Sequence, residues 1–319
     1  MPRTEPKVLV SGSARLSTSG GNRILNFGGR KIFNHMELTW FPFSLAATLL
    51  LGVAMAFYKL PSAKKHNRFV ATFWSLVIPA VLSFIFFHSY LSLGTPAMMW
   101  TALLWGITFT CIVLLQMYAL SHVDTNILFP ITTTASLIIT VLVGIFFFKE
   151  HISILQTLGV ILAVVTIFSF LYKGGKMQYS RLLIGVGSGI IFISAFNKIL
   201  QKVVAGKFDI HVFQIYQYLF AAIFALLIYL VLHRRDWKTH IFSGGLGIGS
   251  LIGVFSFFGG YSLYIALTKG PFPLITSIHS LYILITALSA YFLFKEQLTA
   301  KKIFLLLLAI VAVVLIRIG

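Results

Sequence analysis

One segment of this chain occurs twice. Phe148-Lys149-Glu150-His151-Ile152-Ser153 lies between two apolar runs, and Phe294-Lys295-Glu296-Gln297-Leu298-Thr299 lies between two more, about 146 residues later. Upstream, Tyr118-Ala119-Leu120-Ser121 pairs with Ile265-Ala266-Leu267-Thr268, and Phe57-Tyr58-Lys59-Leu60 pairs with Phe196-Asn197-Lys198-Ile199. A chain built by duplication must fold as two related units, so the unit sets the architecture.

The surroundings of that unit follow from its polarity. Hydrophobic residues make up 58% of the 319 and charged residues only 10%, whereas a soluble domain carries roughly 25% charge. Crossing about 30 Å of hydrocarbon at about 1.5 Å per residue takes about 20 apolar residues. Ten runs approach or reach that length: 40–58, 69–91, 97–120, 125–148, 152–172, 181–204, 210–232, 246–268, 272–294 and 301–318. Transmembrane strands of about 9–11 alternating residues do not fit them. The expected fold is an all-α polytopic membrane protein of ten transmembrane helices. Five fall in each copy, and an odd span count makes the second copy enter from the opposite side, an inverted repeat. The expected organisation is a polar tail over 1–38, a first five-helix repeat over 39–173 and a second over 180–319.

Between the runs the chemistry suits helix ends. Ser153 and Gln156 have capping-box spacing for the fifth helix, and Thr299 is placed to cap the tenth. Glu150 and Glu296 precede those N-termini, where the macrodipole favours a carboxylate. The repeated Lys149-Glu150 and Lys295-Glu296 therefore read as helix-hairpin turns, with a direct substrate role as the alternative.

Several function classes fall away. The net charge of +18 is spread over short loops, as in proteins whose basic residues orient membrane helices, and forms no nucleic-acid face. Gly244-Gly245-Leu246-Gly247-Ile248-Gly249 follows no strand and lacks dinucleotide spacing. Gly245, Gly249 and Gly253, like Gly185 and Gly189, instead recur every fourth residue, a pattern for close helix packing. Cys111 is the only cysteine, so an intrachain disulfide or cysteine zinc cluster is excluded. No nucleophile elbow, phosphate loop or metalloprotease helix occurs, and the seven acidic residues are few for enzymatic proton transfer. No enzyme and no cofactor is expected.

In an inverted repeat a ligand site lies near the midplane, lined by polar groups that are costly against lipid. Lys198, deep in its span beside Asn197, is the leading candidate, with snorkelling to the interface as its alternative. Lys59 and Tyr58 occupy the matching stretch of the first span. His279 lies well inside the ninth span and changes charge near neutral pH, which suits proton coupling; a neutral imidazole bonded to a neighbouring helix is the other reading. Gln116, Tyr118, Asn126 and Thr133 in the first half, with Tyr261, Tyr264 and Tyr282 in the second, supply hydrogen bonds and aromatic walls. Trp100 and Trp105 read as interface anchors.

Ten spans in two halves, Phe-Lys-Glu followed by Ser or Thr after the fourth span of each, and Ala-Leu-Ser/Thr at the end of the third resemble the drug/metabolite transporter superfamily, specifically its EamA-like families, over roughly residues 40–318. The resemblance implies a multi-pass protein of the cell (plasma or inner) membrane, monomeric or homodimeric. It implies secondary transport by alternating access around a central cavity, and export of a small metabolite such as an amino acid. A flippase of the same fold for a lipid-linked sugar, or a membrane subunit without transport of its own, is the alternative; a flippase needs a cavity open sideways to lipid.

Orientation stays open. Loops after odd-numbered spans hold more Lys and Arg, among them Lys64, Arg68, Arg234, Arg235 and Lys301, than loops after even-numbered ones. That asymmetry places both termini outside, whereas the resemblance and the basic 1–35 tail place them inside. A start at Met36 removes the tail from the reckoning.

Overall fold

The computed structural model describes residues 39–64, 66–122, 125–169, 181–232, 242, 244–294 and 300–319. The polar tail, Lys295, Glu296 and Thr299 lie outside them, as does the side chain of Asn126. Helices follow one another as α1 (Trp40–Phe57), α2 (Arg68–Phe87), α3 (Pro96–Leu120), α4 (Thr125–Phe146), α5 (Ile154–Ser169) and α6 (Arg181–Lys207). They continue as α7 (Ile210–Leu232), α8 (Gly245–Lys269), α9 (Phe272–Ser280), α10 (Tyr282–Phe294) and α11 (Ala300–Ile318), with no strand among the described residues. Among the described residues, six helical stretches are long and apolar enough to cross a bilayer: Trp40–Phe57, Arg68–Leu93, Pro96–Leu120, Gly185–Lys207, Ile210–Leu232 and Gly245–Lys269. Shorter apolar stretches at Ile131–Phe146, Ile154–Ile167, Phe272–Thr286 and Ile303–Ile318 occupy the other expected spans. Outward-facing Leu142, Ile161, Phe192, Leu227 and Ile310 are exposed, which suits a bilayer as solvent and not water.

Side chains cap the N-termini of α2, α3 and α5, satisfying N–H groups that the helix itself leaves free. The Asn67 side chain accepts from Phe69 and Val70 N–H ahead of α2, and Thr95 accepts from Met98 N–H in α3. The expected capping box is present: Gln156 N–H donates to Ser153 Oγ at 3.1 Å and Ser153 N–H to Gln156 Oε1 at 2.9 Å.

The ninth span departs from expectation. It is broken at Leu281, between α9 and α10. The Thr48 hydroxyl on α1 donates to the Ile278 carbonyl at 3.2 Å, and Thr286 donates to the Gly52 carbonyl at 3.0 Å. The first of these satisfies a carbonyl beside the break, which makes a break in an apolar span tolerable; the second ties α10 to α1. Gly52 lets α10 approach, since a Cβ there would stand 2.6 Å from Ile285 Cβ.

The order of packing is simple. α8 lies on α1 and α2, α3 lies on α6 and α7, α2 meets α7, and α5 meets α11; α1 also touches α9 and α10, and α6 touches α4. Residues Leu38–Gly319 make one unit. The α8 glycine stripe faces α2 as expected: a Cβ at Gly249 would lie 2.6 Å from the Ala71 carbonyl oxygen, and one at Gly253 2.8 Å from Ile78 Cβ. Gly185 and Gly189 do not play that part. Nothing stands within 4 Å of a Cβ at Gly185, and only Leu115 Cδ1 reaches one at Gly189, at 4.0 Å. Spacing alone does not say whether a helix faces that stripe.

A paired substitution checks this difference. Gly249→Leu should lower the midpoint of thermal unfolding in detergent steeply, since overpacking costs roughly 1–3 kcal/mol and backbone is what must move here. Gly185→Leu should leave it within a degree or two of the starting protein, roughly what a change under 0.5 kcal/mol gives. Equal midpoints for the two variants would mean that the α2–α8 approach is not tight.

Candidate functional site

Five helices of the second half and three of the first meet around a cavity of about 110 Å³. Seven sequence-named residues line it: Tyr58 just past α1, Gln116 on α3, Thr133 on α4, Asn197 and Lys198 on α6, His279 on α9 and Tyr282 on α10. Lys198 sits nine residues before the end of α6, and its ammonium turns inward, donating to Ser136 Oγ on α4 at 3.2 Å. That contact answers the snorkelling alternative, because the long side chain bonds within the cavity wall. Asn197 Oδ1 accepts from the Thr108 hydroxyl at 2.7 Å, which orients the amide so that its Nδ2 has no protein partner.

His279 and Tyr282, three residues apart across the break, lie side by side with ring centroids 5.4 Å apart. Tyr282 Oη and Thr133 Oγ1 share a hydrogen bond of 2.9 Å. His279 Nδ1, Gln116 Oε1 and Trp105 Nε1 are buried without a hydrogen-bond partner, and all three residues line the cavity. Buried polar atoms are normally satisfied. Four such atoms at one cavity, with Asn197 Nδ2, mark a place built to meet a ligand or water.

Other expected residues stand elsewhere. Lys59 lies in the turn after α1 and Tyr118 near the end of α3, where the Arg68 guanidinium covers its ring at 5.1 Å. Tyr264 is buried but turns away to donate to Gln217 Oε1 at 2.6 Å. Tyr261 Oη bonds His211 Nε2 at 2.9 Å. None of these four is on the cavity wall, because facing is set by helix rotation and not by depth.

Sequence reasoning missed Trp105, Phe109, Ser194, Gln201 and Tyr218, all on the wall. The signal for Trp105 was available. Five residues turn a helix through about 140°, so Trp100 and Trp105 cannot share a face; Trp100 is 72% exposed and Trp105 only 2%. Phe109 stacks on Trp105 with centroids 4.3 Å apart.

The first copy of the repeated motif has an unexpected partner. Glu150 does not serve the helix that follows it. One carboxylate oxygen accepts from the Phe272 N–H at the start of α9, at 2.6 Å, and the other pairs with Lys202 Nζ at 2.9 Å. Lys202 also donates to the carbonyls of Gly270 and Leu267, at 3.1 and 3.4 Å, at the end of α8. A positive φ of 55° at Lys149 turns the chain there. The hairpin between α4 and α5 is thereby latched to three helices of the other half, one helical turn from Lys198.

Residues 182–318 match the model of the EamA-like transporter family, which agrees with the drug/metabolite transporter resemblance of the sequence motifs. Twenty-nine solved chains match in fold. One crystal structure superposes with a TM-score of 0.64 over 84% of this chain and 95% of its own, at 13% identity. No curated protein matches the chain. The family match and the apolar helices support an integral multi-pass membrane protein.

Proposed function

We propose that this chain, whose second half carries EamA-like transporter sequence, is a secondary-active carrier of the cell membrane. It exports a small polar or amphipathic metabolite by alternating access around the Lys198 cavity. The observation that carries this reading is the cavity itself: a buried polar space, lined from both halves, in which a cation and four unpartnered polar atoms converge. Such a site at the interface of two repeats is where secondary carriers hold their substrates.

An inverted repeat of ten spans is the frame we infer for it. The helix pairing maps onto itself when every span is advanced by five: α1–α8 becomes α6–α3, α2–α8 becomes α7–α3, and α1 with the ninth span becomes α6–α4. The α2–α7 and α5–α11 contacts map onto themselves. Small residues support the same relation, since Gly106 on α3 meets α7 as Gly249 on α8 meets α2. An in-plane twofold axis rationalises these pairings.

His279 is the group we assign to proton coupling, because it faces the cavity with a free ring nitrogen and is the residue type that switches charge near neutral pH. Uptake of a panel of labelled small metabolites into proteoliposomes, with and without an imposed pH difference, tests both points. Wild-type protein should accumulate its substrate only with the gradient. His279→Gln, which keeps polarity without cycling a proton, should lose accumulation and keep exchange. Wild-type accumulation that ignores the pH difference would sink the coupling role, and a panel with no flux at all would sink the carrier.

A further inference from the structure

The charge inventory of the cavity points to what it takes. We propose that it binds a compact organic monoanion: one carboxylate on an aromatic or otherwise apolar body, with no ammonium group. This rests on the reading of the cavity as the transport site, and narrows it away from the amino acids that the family resemblance implies.

Three observations carry it. Lys198 is the only Lys or Arg among the described residues of the wall, and none of them is Asp or Glu. The lack of anions extends to every described helix. The chain's acidic residues are Glu5, Glu37, Asp124, Glu150, Asp209, Asp236 and Glu296, and none lies within α1 to α11. A buried charge needs an opposite charge, so the cavity favours one negative group. A second cation carried in by a zwitterion would find no carboxylate and would be repelled by Lys198.

Two of the four unpartnered atoms agree. Trp105 Nε1–H and the Asn197 Nδ2 amide are donors, each on a residue at least nine-tenths buried, and Lys198 has spent one of its three donors on Ser136. A carboxylate accepts and never donates, so it satisfies this set in one step. Leu51, Met55, Phe109, Ile112 and the rings of Tyr58 and Tyr282 supply apolar surface suited to a flat apolar body, beside polar Ser194, Gln201 and Ser256. Allowing about 10–15 Å³ for each water-sized occupant, the cavity of about 110 Å³ admits a ligand on the order of ten non-hydrogen atoms.

Isothermal titration of the purified full-length protein with 3-phenylpropionate, phenylalanine and phenethylamine tests this. The three share one body and carry a carboxylate, both groups, or an ammonium alone. The expected order is 3-phenylpropionate at least ten-fold tighter than phenylalanine, with phenethylamine silent. Gln116→Glu sets an anion in the wall beside the unpartnered Gln116 position, and should weaken 3-phenylpropionate at least ten-fold while phenylalanine gains. Should that variant fail to fold, Lys198→Met serves, and should erase the preference for the anion. Phenylalanine or phenethylamine binding the wild type as well as 3-phenylpropionate, or no binding of any at millimolar concentration, overturns the proposal. Counterflow in proteoliposomes separates the two readings. Binding in the expected order without exchange leaves the site assignment standing and removes the carrier; exchange of phenylalanine in preference does the reverse.

Discussion

Replacing Lys198 with methionine should cut substrate binding and transport by about ten- to a hundred-fold, measured as the substrate dissociation constant and the initial rate in proteoliposomes. A charge-assisted hydrogen bond contributes roughly 1.5–3 kcal/mol, and each 1.4 kcal/mol is about a factor of ten. Because Lys198 is held inside by Ser136 Oγ at 3.2 Å and not drawn to an interface, its loss acts on the ligand. The fold should not suffer. Removing a cation from an apolar setting relieves desolvation, so the thermal midpoint should hold or rise. Lys198→Arg, which keeps the charge in a wider and planar head, should retain part of the binding. Binding and accumulation should fall together in Lys198→Met, in contrast to the split expected of His279→Gln. Wild-type rates in Lys198→Met would remove the residue from the site.

Glu150→Ala should open one face of the cavity. The carboxylate satisfies the Phe272 N–H at 2.6 Å and Lys202 at 2.9 Å, so its loss uncaps α9 and leaves a partly buried ammonium with carbonyls alone. A lost cap costs about 1 kcal/mol, and the ion pair, with side chains 17% and 20% exposed, adds on the order of 1–2 kcal/mol at that degree of solvent screening. Together these shift the balance between latched and open forms by about thirty- to a hundred-fold. Gln201, on the wall one residue before Lys202, is a suitable reporter. In a Cys111→Ser background, Gln201→Cys should react with a membrane-impermeant thiol reagent at least ten-fold faster when Glu150 is alanine. Glu150→Gln should fall between, since its amide oxygen still accepts from Phe272 N–H. Unchanged labelling in all three would show that the pair does not hold that face shut.

Much of the helical plan was legible because it depends on local quantities. Hydrophobic run length and a Ser153–Gln156 cap are properties of short segments, and Ile210–Leu232 came out with both ends as expected. The α8 glycine stripe was legible for the same reason. Lys198, Asn197 and His279 stood out because a polar side chain deep in an apolar run is costly whatever surrounds it.

From the residues alone follow the apolar surroundings, the helical class and the few polar residues that must have a reason to be in the helices. Which of those residues meet was decided by tertiary structure. Lys59 and Tyr118 repeat motif positions yet face away from the cavity, whereas Trp105, which resembled an interface anchor, lines it. The break at Leu281 carries neither Gly nor Pro, and the Thr48 hydroxyl of α1 bonds the Ile278 carbonyl beside it. Glu150 caps a helix 122 positions away and not its neighbour. The physical reason is common to all four. Helix rotation and inter-helix distance set which groups lie within about 3 Å of one another, and hydrogen bonds and ion pairs depend on that spacing, which no run of neighbouring residues encodes.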